Sequence, residues 1–160
     1  MKRLFSILLL CTIFLAGCGT TETEQSFKTD VAVSELSAQM TTASGIENLM
    51  EADQSWVALN VEMDPDNWEE SKILISAEGS ADMMGIFKAT DIESAEAALA
   101  EAEDYIQKLE DNWMTEYLPE ELPKIQNAVC KRNGLYVTFI IFEDSARNSA
   151  LEKFDSILKG

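Results

Sequence analysis

The feature that most constrains this fold is one long amphipathic pattern in the middle of the chain. Apolar residues recur there at alternating steps of three and four: Ile92, Ala95, Leu99, Ala102, Ile106, Leu109 and Trp113. This spacing predicts a helix over residues 91–114 with one apolar stripe, and Thr90-Asp91-Ile92-Glu93 has capping-box spacing at its start. Because the stripe lasts little more than three heptads and is rich in alanine early on, packing against a sheet is favoured over a coiled-coil seam.

Two hairpin patterns, one on either side of this helix, supply a sheet. Glu78-Gly79-Ser80 separates the first pair of apolar runs, and Asn133-Gly134, a strong hairpin signal, separates the second pair. The predicted strands are residues 72–77, 83–89, 128–131 and 135–143. In the last of them the residues on both faces are apolar, so we expect this strand to be central.

The remaining patterns complete an α+β fold. Further helices are predicted at 31–43 and 145–158, and alternation over 57–63 predicts an additional edge strand. The expected architecture is a small antiparallel sheet of about four or five strands, covered on one face mainly by the 91–114 and 145–158 helices, with the N-terminal helices around it. The order strand, strand, helix occurs twice, which suggests an internal duplication.

The first 17 residues have the pattern of an export signal. They carry Lys2 and Arg3, no acidic residue, and an apolar run from Leu4 to Ala16. The run Leu15-Ala16-Gly17-Cys18 resembles the lipobox of bacterial lipoproteins. This resemblance implies cleavage between Gly17 and Cys18, with a diacylglycerol linked to the Cys18 sulfur. An ordinary secretory cleavage beside a coincidental cysteine is the alternative.

This interpretation divides the chain into three parts. Residues 1–17 are the predicted signal peptide, residues 18–29 are the lipidated cysteine and a polar flexible tether, and residues 30–160 are a single α+β domain. We therefore expect a protein held on the extracytoplasmic face of the cell membrane by the lipid on Cys18.

The charge of the chain excludes several classes of partner. The 160 residues include 29 acidic and 12 basic ones, and loss of the signal peptide removes Lys2 and Arg3 and leaves a net charge of −19. Nucleic acid is not an expected partner, because phosphate binding needs clustered Lys and Arg. The same charge disfavours adhesion of the domain to anionic lipid head groups.

The chain offers little catalytic chemistry. It contains no His, which removes Ser-His and Cys-His nucleophile pairs and the usual zinc sites, and it has no Gly-rich phosphate loop. No catalytic residue, metal or cofactor is predicted, although a carboxylate pair of glycosidase type stays open among so many acids. Cys130 lies in an apolar strand pattern, which favours a buried structural thiol over a reactive one.

Two clusters are candidate binding sites. The acidic segment 64–70 supplies oxygen ligands that calcium prefers, but Trp68 stands where a loop ligand is needed, so capping of a short helix is the favoured interpretation. Aromatic residues form the second cluster, with Trp56 beside the candidate binding-surface residues Trp68, Trp113, Tyr117 and Tyr136. These side chains either line a ligand groove or partner surface, or belong to the core.

Several short motifs resemble those of DUF4358 lipoproteins from Gram-positive, clostridia-like bacteria. They are 81–89 (Ala-Asp-Met-Met-Gly-Ile-Phe-Lys-Ala), the long acidic helix, Tyr117-Leu118-Pro119-Glu120, Asn127-Ala128-Val129 and 133–137 (Asn-Gly-Leu-Tyr-Val). The resemblance spans roughly residues 30–160 and implies an α+β lipoprotein, without assigning an activity. The expected function is a non-enzymatic envelope module that binds a solute or a protein; a structural scaffold and a carboxylate-dependent hydrolase are the alternatives.

Overall fold

The computed structural model describes residues 26–114 and 116–160. Its helices are α1 (Val33–Ser44), α2 (Gln54–Asn60), α3 (Ile92–Asp111), α4 (Leu122–Gln126) and α5 (Asp144–Leu158). Its strands are β1 (Leu49–Glu51), β2 (Trp68–Ser76), β3 (Met83–Ala89), β4 (Val129–Asn133) and β5 (Tyr136–Ile141), with 3-10 turns at Pro65–Asn67 and Pro119–Glu121. The strands form one antiparallel sheet in the order β1-β2-β3-β5-β4. The predicted α+β class and the two hairpins are confirmed.

Two interior strands, β3 at the centre of the sheet and β5 beside it, are apolar on both sides. Every residue of β5 is buried, and so is every residue of β3 except Lys88. Since neighbouring side chains of a strand point to opposite faces, both faces of the sheet need a cover. The α3 face carries Phe139 and Ile141, and the α1/α5 face carries Ile140 and Phe142.

The two long helices therefore lie on opposite faces, and the prediction that they share one face is wrong. On the α3 face, Ala98 and Ala102 pack over Phe139. On the α1/α5 face, Leu36 of α1 and Phe154 of α5 pack over the other side of the sheet. A strand that is apolar on both sides cannot be buried by helices on one side alone.

The predicted long helix is confirmed, but its buried stripe is rotated toward alanine. The buried positions are Ala95, Ala98, Ala102 and Tyr105, whereas Ile92 is 49 % exposed. Asp91 caps the helix through Oδ1, which accepts a hydrogen bond from the Ser94 backbone N–H at 2.8 Å. Small alanines let a helix backbone approach the sheet closely, so the larger apolar residues of α3 fill the margins of the contact.

A close contact between Gly85 and Phe139 supports this packing. A Cβ atom built on Gly85 would lie 2.3 Å from Phe139 Cε1, so the phenyl ring occupies the space that a side chain would need. The same ring packs against Tyr105 of α3, with ring centroids 5.4 Å apart. Only glycine at position 85 lets the ring lie flat on the sheet below α3.

The predicted edge strand at 57–63 is wrong. Asp53 caps α2 instead, with Oδ1 accepting a hydrogen bond from Trp56 N–H at 2.8 Å, and the fifth strand is Leu49–Glu51. Leu59 is 83 % exposed, so the alternation over 57–63 does not correspond to a buried strand face. The cap at Asp53 favours a helix over an edge strand here, because it satisfies a backbone N–H that an edge strand would leave to water.

The arrangement also argues against a simple internal duplication. The units β2-β3-α3 and β4-β5-α5 meet at the antiparallel β3–β5 pair. A rotation that exchanges two antiparallel neighbours has its axis normal to the sheet, so it would place both helices on the same face. Because α3 and α5 lie on opposite faces, the two units have opposite hands and cannot be superposed.

The N-terminal end of the described chain is paired with the C-terminus. Phe27 forms a bridge with Lys159, Lys28 N–H donates to the Leu158 carbonyl at 2.9 Å, and Gly160 N–H donates to the Ser26 carbonyl at 3.0 Å. We call Ser26–Asp30 the docked strap. The end of the predicted tether thus lies on the body of the domain, while the rest of the predicted tether and the signal peptide lie outside the described residues. None of the described helices has the length and apolar character that a membrane span requires.

Candidate functional site

The α3 face is covered unevenly, and its clefts lie where the cover is thin. Helix α3 packs on β3, β4 and β5. The β2 side is covered by α2 and the segment that follows it, and no residue of α2 itself is buried. This segment leaves a cleft on each side of it.

The first cleft, which we call the tryptophan cleft, lies between α2, the end of α3 and the β2–β3 hairpin. Its volume is about 520 Å³, and its apolar walls are Trp56, Met83, Tyr105, Leu109 and Trp113. The indole Nε1–H of Trp113 donates to the Leu118 carbonyl at 3.1 Å, which fixes the ring. Aromatic walls held in this way are typical of a preformed ligand pocket.

A few polar groups lie among these apolar walls. Lys108 forms an ion pair with Glu62, and that hydrogen bond raises the pKa of Lys108 above its ordinary value. The Tyr105 hydroxyl donates to Met83 Sδ at 3.3 Å, and burial raises the pKa of Tyr105 to about 12, so the phenol stays neutral. The lining has further polar residues on α2, on the β2–β3 hairpin and after α3: Asn60, Ser76, Ser80, Asp82 and Asn112.

A cluster of charges holds one wall of the tryptophan cleft. Lys124 of α4 lies 3.2 Å from Asp82 Oδ2 and 3.0 Å from Glu121 Oε2, and all three side chains are between 11 % and 15 % exposed. Glu121 also accepts a hydrogen bond from the Ala81 backbone N–H at 2.8 Å. Burial opposes the charge of Lys124, but the hydrogen bonds to Glu121 and Asp82 outweigh it and raise the pKa of Lys124. The cluster therefore ties α4 to the β2–β3 hairpin.

The second cleft, which we call the edge cleft, lies on the other side of α2. It has a volume of about 890 Å³ and is lined by Val61, Trp68, Ile73 and Phe87. Trp68 packs on Phe87 with ring centroids 4.8 Å apart. Four carboxylates, those of Glu51, Glu62, Asp64 and Glu101, line the same cleft, and Glu62 also lines the tryptophan cleft.

The structure separates the four aromatic residues that the sequence proposed as a binding surface. Trp113 lines the tryptophan cleft and Trp68 lines the edge cleft, whereas Tyr117 is 77 % exposed and lines neither. The assignment of Tyr136 to this surface is wrong, since Tyr136 is fully buried on the α1/α5 face and its hydroxyl donates to the Val31 carbonyl at 2.7 Å. A single surface made from all four residues does not exist.

Sequence reasoning missed two residues of the tryptophan cleft that a signal could have found. Tyr105 follows Ala98 and Ala102 at steps of four and three, so it extends the buried alanine face of α3. Met83 is the first inward residue after the hairpin and meets Tyr105 from the sheet. Tyr105 is the large residue that continues the alanine face of α3, and this position is the signal that identifies it.

The acidic segment 64–70 acts as a set of caps and ion pairs. Asp64 accepts a hydrogen bond from Asp66 N–H at 3.0 Å, which confirms the capping interpretation, although the capped element is only the 3-10 turn Pro65–Asn67. Glu69 pairs with Lys88 at 2.7 Å, and Glu70 Oε2 accepts a hydrogen bond from Val33 N–H at the start of α1. Within 26–114 and 116–160, no three His, Cys, Asp or Glu side chains converge as metal ligands.

The three cysteines have different outcomes. Cys130 is a partly buried free thiol packed against the core of the α3 face, and burial raises its pKa to about 12, which supports the structural interpretation. The predicted cleavage residues Gly17 and Cys18, and Cys11 before them, lie outside the described part of the chain.

Comparison with known proteins gives one result. No curated protein and no solved structure matches this chain. A family model described as a domain of unknown function matches residues 42–142, from the last turn of α1 to the residue after β5, and thereby includes both clefts and leaves α5 outside. This match covers more than half of the chain, which therefore belongs to the DUF4358 family.

Proposed function

We propose that this protein is a lipid-anchored, extracytoplasmic binding module of the bacterial cell envelope, and that the tryptophan cleft is its ligand site. The observation that carries the proposal is the cleft itself, in which Trp56, Tyr105 and Trp113 form apolar walls around a few polar groups. Small-molecule sites in proteins have this composition.

The distribution of exposed apolar residues favours a binding module over a structural scaffold. A scaffold that packs against a flat partner needs one contiguous apolar patch. Among the residues that the structure describes, the large exposed apolar ones are instead dispersed over β1, α2, the start of α3 and the connection after α3: Met50, Leu59, Ile92, Met114 and Tyr117. The tryptophan cleft is therefore a better candidate for binding than any flat outer surface of the domain.

The charges around the cleft favour a neutral or cationic ligand with a ring or another apolar part. Lys108 is the basic residue of the lining, and Glu62 already engages it. Asp82 adds a further carboxylate to the same lining. An anionic ligand would meet these carboxylates on a chain of strongly negative net charge, whereas a cation would be attracted to the faces of the two indoles.

Binding without catalysis agrees with the chemistry of the cleft residues. The chain has no His to act as a general base, and the phenol of Tyr105 has a pKa of about 12. Asp82 and Glu121 both lie beside Lys124, so neither carboxylate has the isolated apolar setting that turns a carboxyl group into a general acid.

Three sequence features support the lipid anchor. Lys2 and Arg3 form a basic head, the apolar run up to Ala16 is shorter than a comfortable membrane span, and Gly17 precedes Cys18 in the lipobox-like run. Two acyl chains on one cysteine give stable attachment where a single chain gives only marginal binding. The lipid alone can therefore hold an acidic domain at a membrane.

The ligand site is tested with the neutral aromatic dye Nile red. We expect its fluorescence to increase and shift to the blue on binding the wild-type domain, and we expect Trp56→Ala and Trp113→Phe to weaken that binding. Tyr117→Ala is the matched control, because Tyr117 is an exposed aromatic residue outside both clefts. Binding that survives both tryptophan substitutions but is lost in Val61→Ala would move the site to the edge cleft and contradict the proposal.

The anchor is tested with Cys18→Ser in cells fed labelled fatty acid. The wild-type protein should incorporate the label and stay with the membrane fraction, while the variant should remain an unlabelled precursor of higher mass. If wild type takes up no label and the variant is cleaved and shed at the same rate as wild type, the protein is secreted without an anchor.

A further inference from the structure

The docked strap fixes where the lipid-bearing end of the chain leaves the domain. Its backbone pairs with the C-terminus through Lys28 and Leu158, and the Phe27 side chain lies against the β4–β5 turn, where a Cβ on Gly134 would be 2.9 Å from Phe27 Cβ. The Tyr136 hydroxyl holds the chain three residues beyond Lys28 through the Val31 carbonyl. The chain therefore leaves the domain at one defined end of the sheet, next to the β4–β5 turn.

The chain between this exit and Cys18 is short. Seven residues separate Cys18 from Ser26. Eight peptide steps span at most about 29 Å when fully extended. A lipid on Cys18 would therefore keep the strap end of the domain close to the bilayer.

The tryptophan cleft lies at the opposite end of the sheet. Tyr136 begins β5 beside the strap and pairs with Lys88, whereas Ile141 at the far end of β5 pairs with Met83 of the cleft. The separation along these strands is about 17 Å at the usual rise per residue, and the β2–β3 hairpin lies farther out. Helix α3 follows β3 at the strap end and runs back along the sheet, so that its last turns reach the cleft.

The charge of the strap end agrees with a position near lipid. Lys28, Lys153 and Lys159 lie on the strap, late in α5 and at the C-terminus, and none of them has a carboxylate within 4 Å among the described residues. Lys131 and Arg132, just before the β4–β5 turn, are instead paired with Asp155 at 2.6 Å and with Glu96 at 3.6 Å. Basic residues gain up to about 1 kcal/mol each near an anionic membrane surface. Of the ten basic residues that follow the predicted signal peptide, these three lysines are the ones without a carboxylate partner among the described residues, and all three lie toward this end of an acidic protein.

We propose that the docked strap orients the anchored domain, with the β4–β5 turn and the C-terminus facing the lipid surface and the tryptophan cleft facing away from it. The proposal rests on the lipid anchor of the proposed function. It implies that the cleft takes its ligand from the space outside the membrane and not from the bilayer. The strap is the element that gives the attached domain a preferred orientation.

Energy transfer to the membrane tests this orientation in the full-length, lipidated protein on vesicles that contain anionic lipid and a head-group acceptor dye. Cys130→Ala first removes the free thiol of the domain. A donor dye is then attached either at Ser156→Cys, beside the strap, or at Ala77→Cys, in the hairpin beyond the cleft. Both native residues are uncharged and exposed. We expect transfer from position 156 to exceed transfer from position 77 by about twofold or more, since a strand length of roughly 20 Å separates the two ends.

Two controls separate the orientation from the anchor. Vesicle flotation of the same samples reports attachment, so a protein that does not float overturns the anchor, and the orientation with it. Equal or reversed transfer in a protein that does float overturns the orientation alone. Phe27→Ala loosens the strap and should bring the two efficiencies closer together; an unchanged ratio in this variant would show that the strap does not set the orientation.

Discussion

The two faces of one sheet have different covers, and the difference locates the candidate site. On the α1/α5 face, two antiparallel helices lie side by side, and each is about 10 Å across. Together they nearly span five strands that are spaced about 4.8 Å apart. On the α3 face, a single long helix packs mainly on β3, β4 and β5 and reaches only part of β2, where the short α2 and the segment after it complete the cover. Clefts form on that face because its cover is too narrow.

This comparison separates the residues that stabilise the fold from those available for function. On the α1/α5 face, aromatic residues such as Phe142, Phe154 and Tyr136 are fully buried. On the α3 face, the tryptophans Trp56, Trp68 and Trp113 are only half-buried and line clefts. Half-buried aromatics beside a thin cover are therefore the better candidates for a site than aromatics in general.

The largest expected effects come from the two cores, one on each face of the sheet. Phe139→Ala should lower the free energy of unfolding by about 3 to 5 kcal/mol, because it removes a fully buried ring below α3. Phe154→Ala, the matched change on the other face, should cost a similar amount. Urea denaturation measures both, and a loss below about 1 kcal/mol at either site would mean that this face is not packed as described.

A smaller effect is expected from the charged cluster that holds the wall of the tryptophan cleft. Lys124→Met leaves Asp82 and Glu121 without their shared cation and should destabilise the protein by about 1 to 3 kcal/mol. The pKa of Lys124 is raised in the folded state, so its contribution is fully present below the unfolded pKa of about 10.4 and is lost as pH rises through the folded pKa. Thermal unfolding from pH 7 to 11 should show the two proteins converging at the alkaline end, and a difference that grows with pH would contradict this sign.

Removal of one buried hydroxyl tests the attachment of the segment before α1. Tyr136→Phe deletes the hydrogen bond to the Val31 carbonyl and should cost about 0.5 to 1.5 kcal/mol. Hydrogen exchange should also become faster at the amides of the docked strap and the first turn of α1. Unchanged exchange there, with unchanged stability, would show that the hydroxyl does not hold this segment.

The smallest expected effect is on α2, the thin part of the cover. Leu59→Ser should change the free energy of unfolding by no more than about 0.5 kcal/mol, because the side chain is 83 % exposed. Phe139 lies on the same face, so the difference between the two losses in free energy of unfolding compares the packed part of the cover with its thin part. A loss of 2 kcal/mol or more would mean that Leu59 is buried, and that α2 closes over the clefts in solution.

Much of the fold could be predicted from local patterns. The strand Met83–Ala89 has the predicted bounds, α3 lies within the predicted 91–114, and the Asn133-Gly134 signal marks the hairpin between β4 and β5. These elements depend on turn chemistry, caps and long periodic runs, which act within a few residues of each other. The short segment 54–60 was harder, because seven residues fit either period and the cap at Asp53 had to be weighed against alternation.

The sequence by itself determined the α+β class, the two hairpins, the strong negative charge and the absence of histidine chemistry. Only the tertiary structure decided that α3 and α5 lie on opposite faces, that Tyr136 is core while Trp56 and Trp113 share a cleft, and that the docked strap meets the C-terminus. The physical reason is the distance along the chain over which each kind of contact acts. Periodicity and capping report which side of an element is apolar, whereas the partner of that side is fixed by contacts between residues far apart in the chain, up to 105 positions in the hydrogen bond from Tyr136 to Val31.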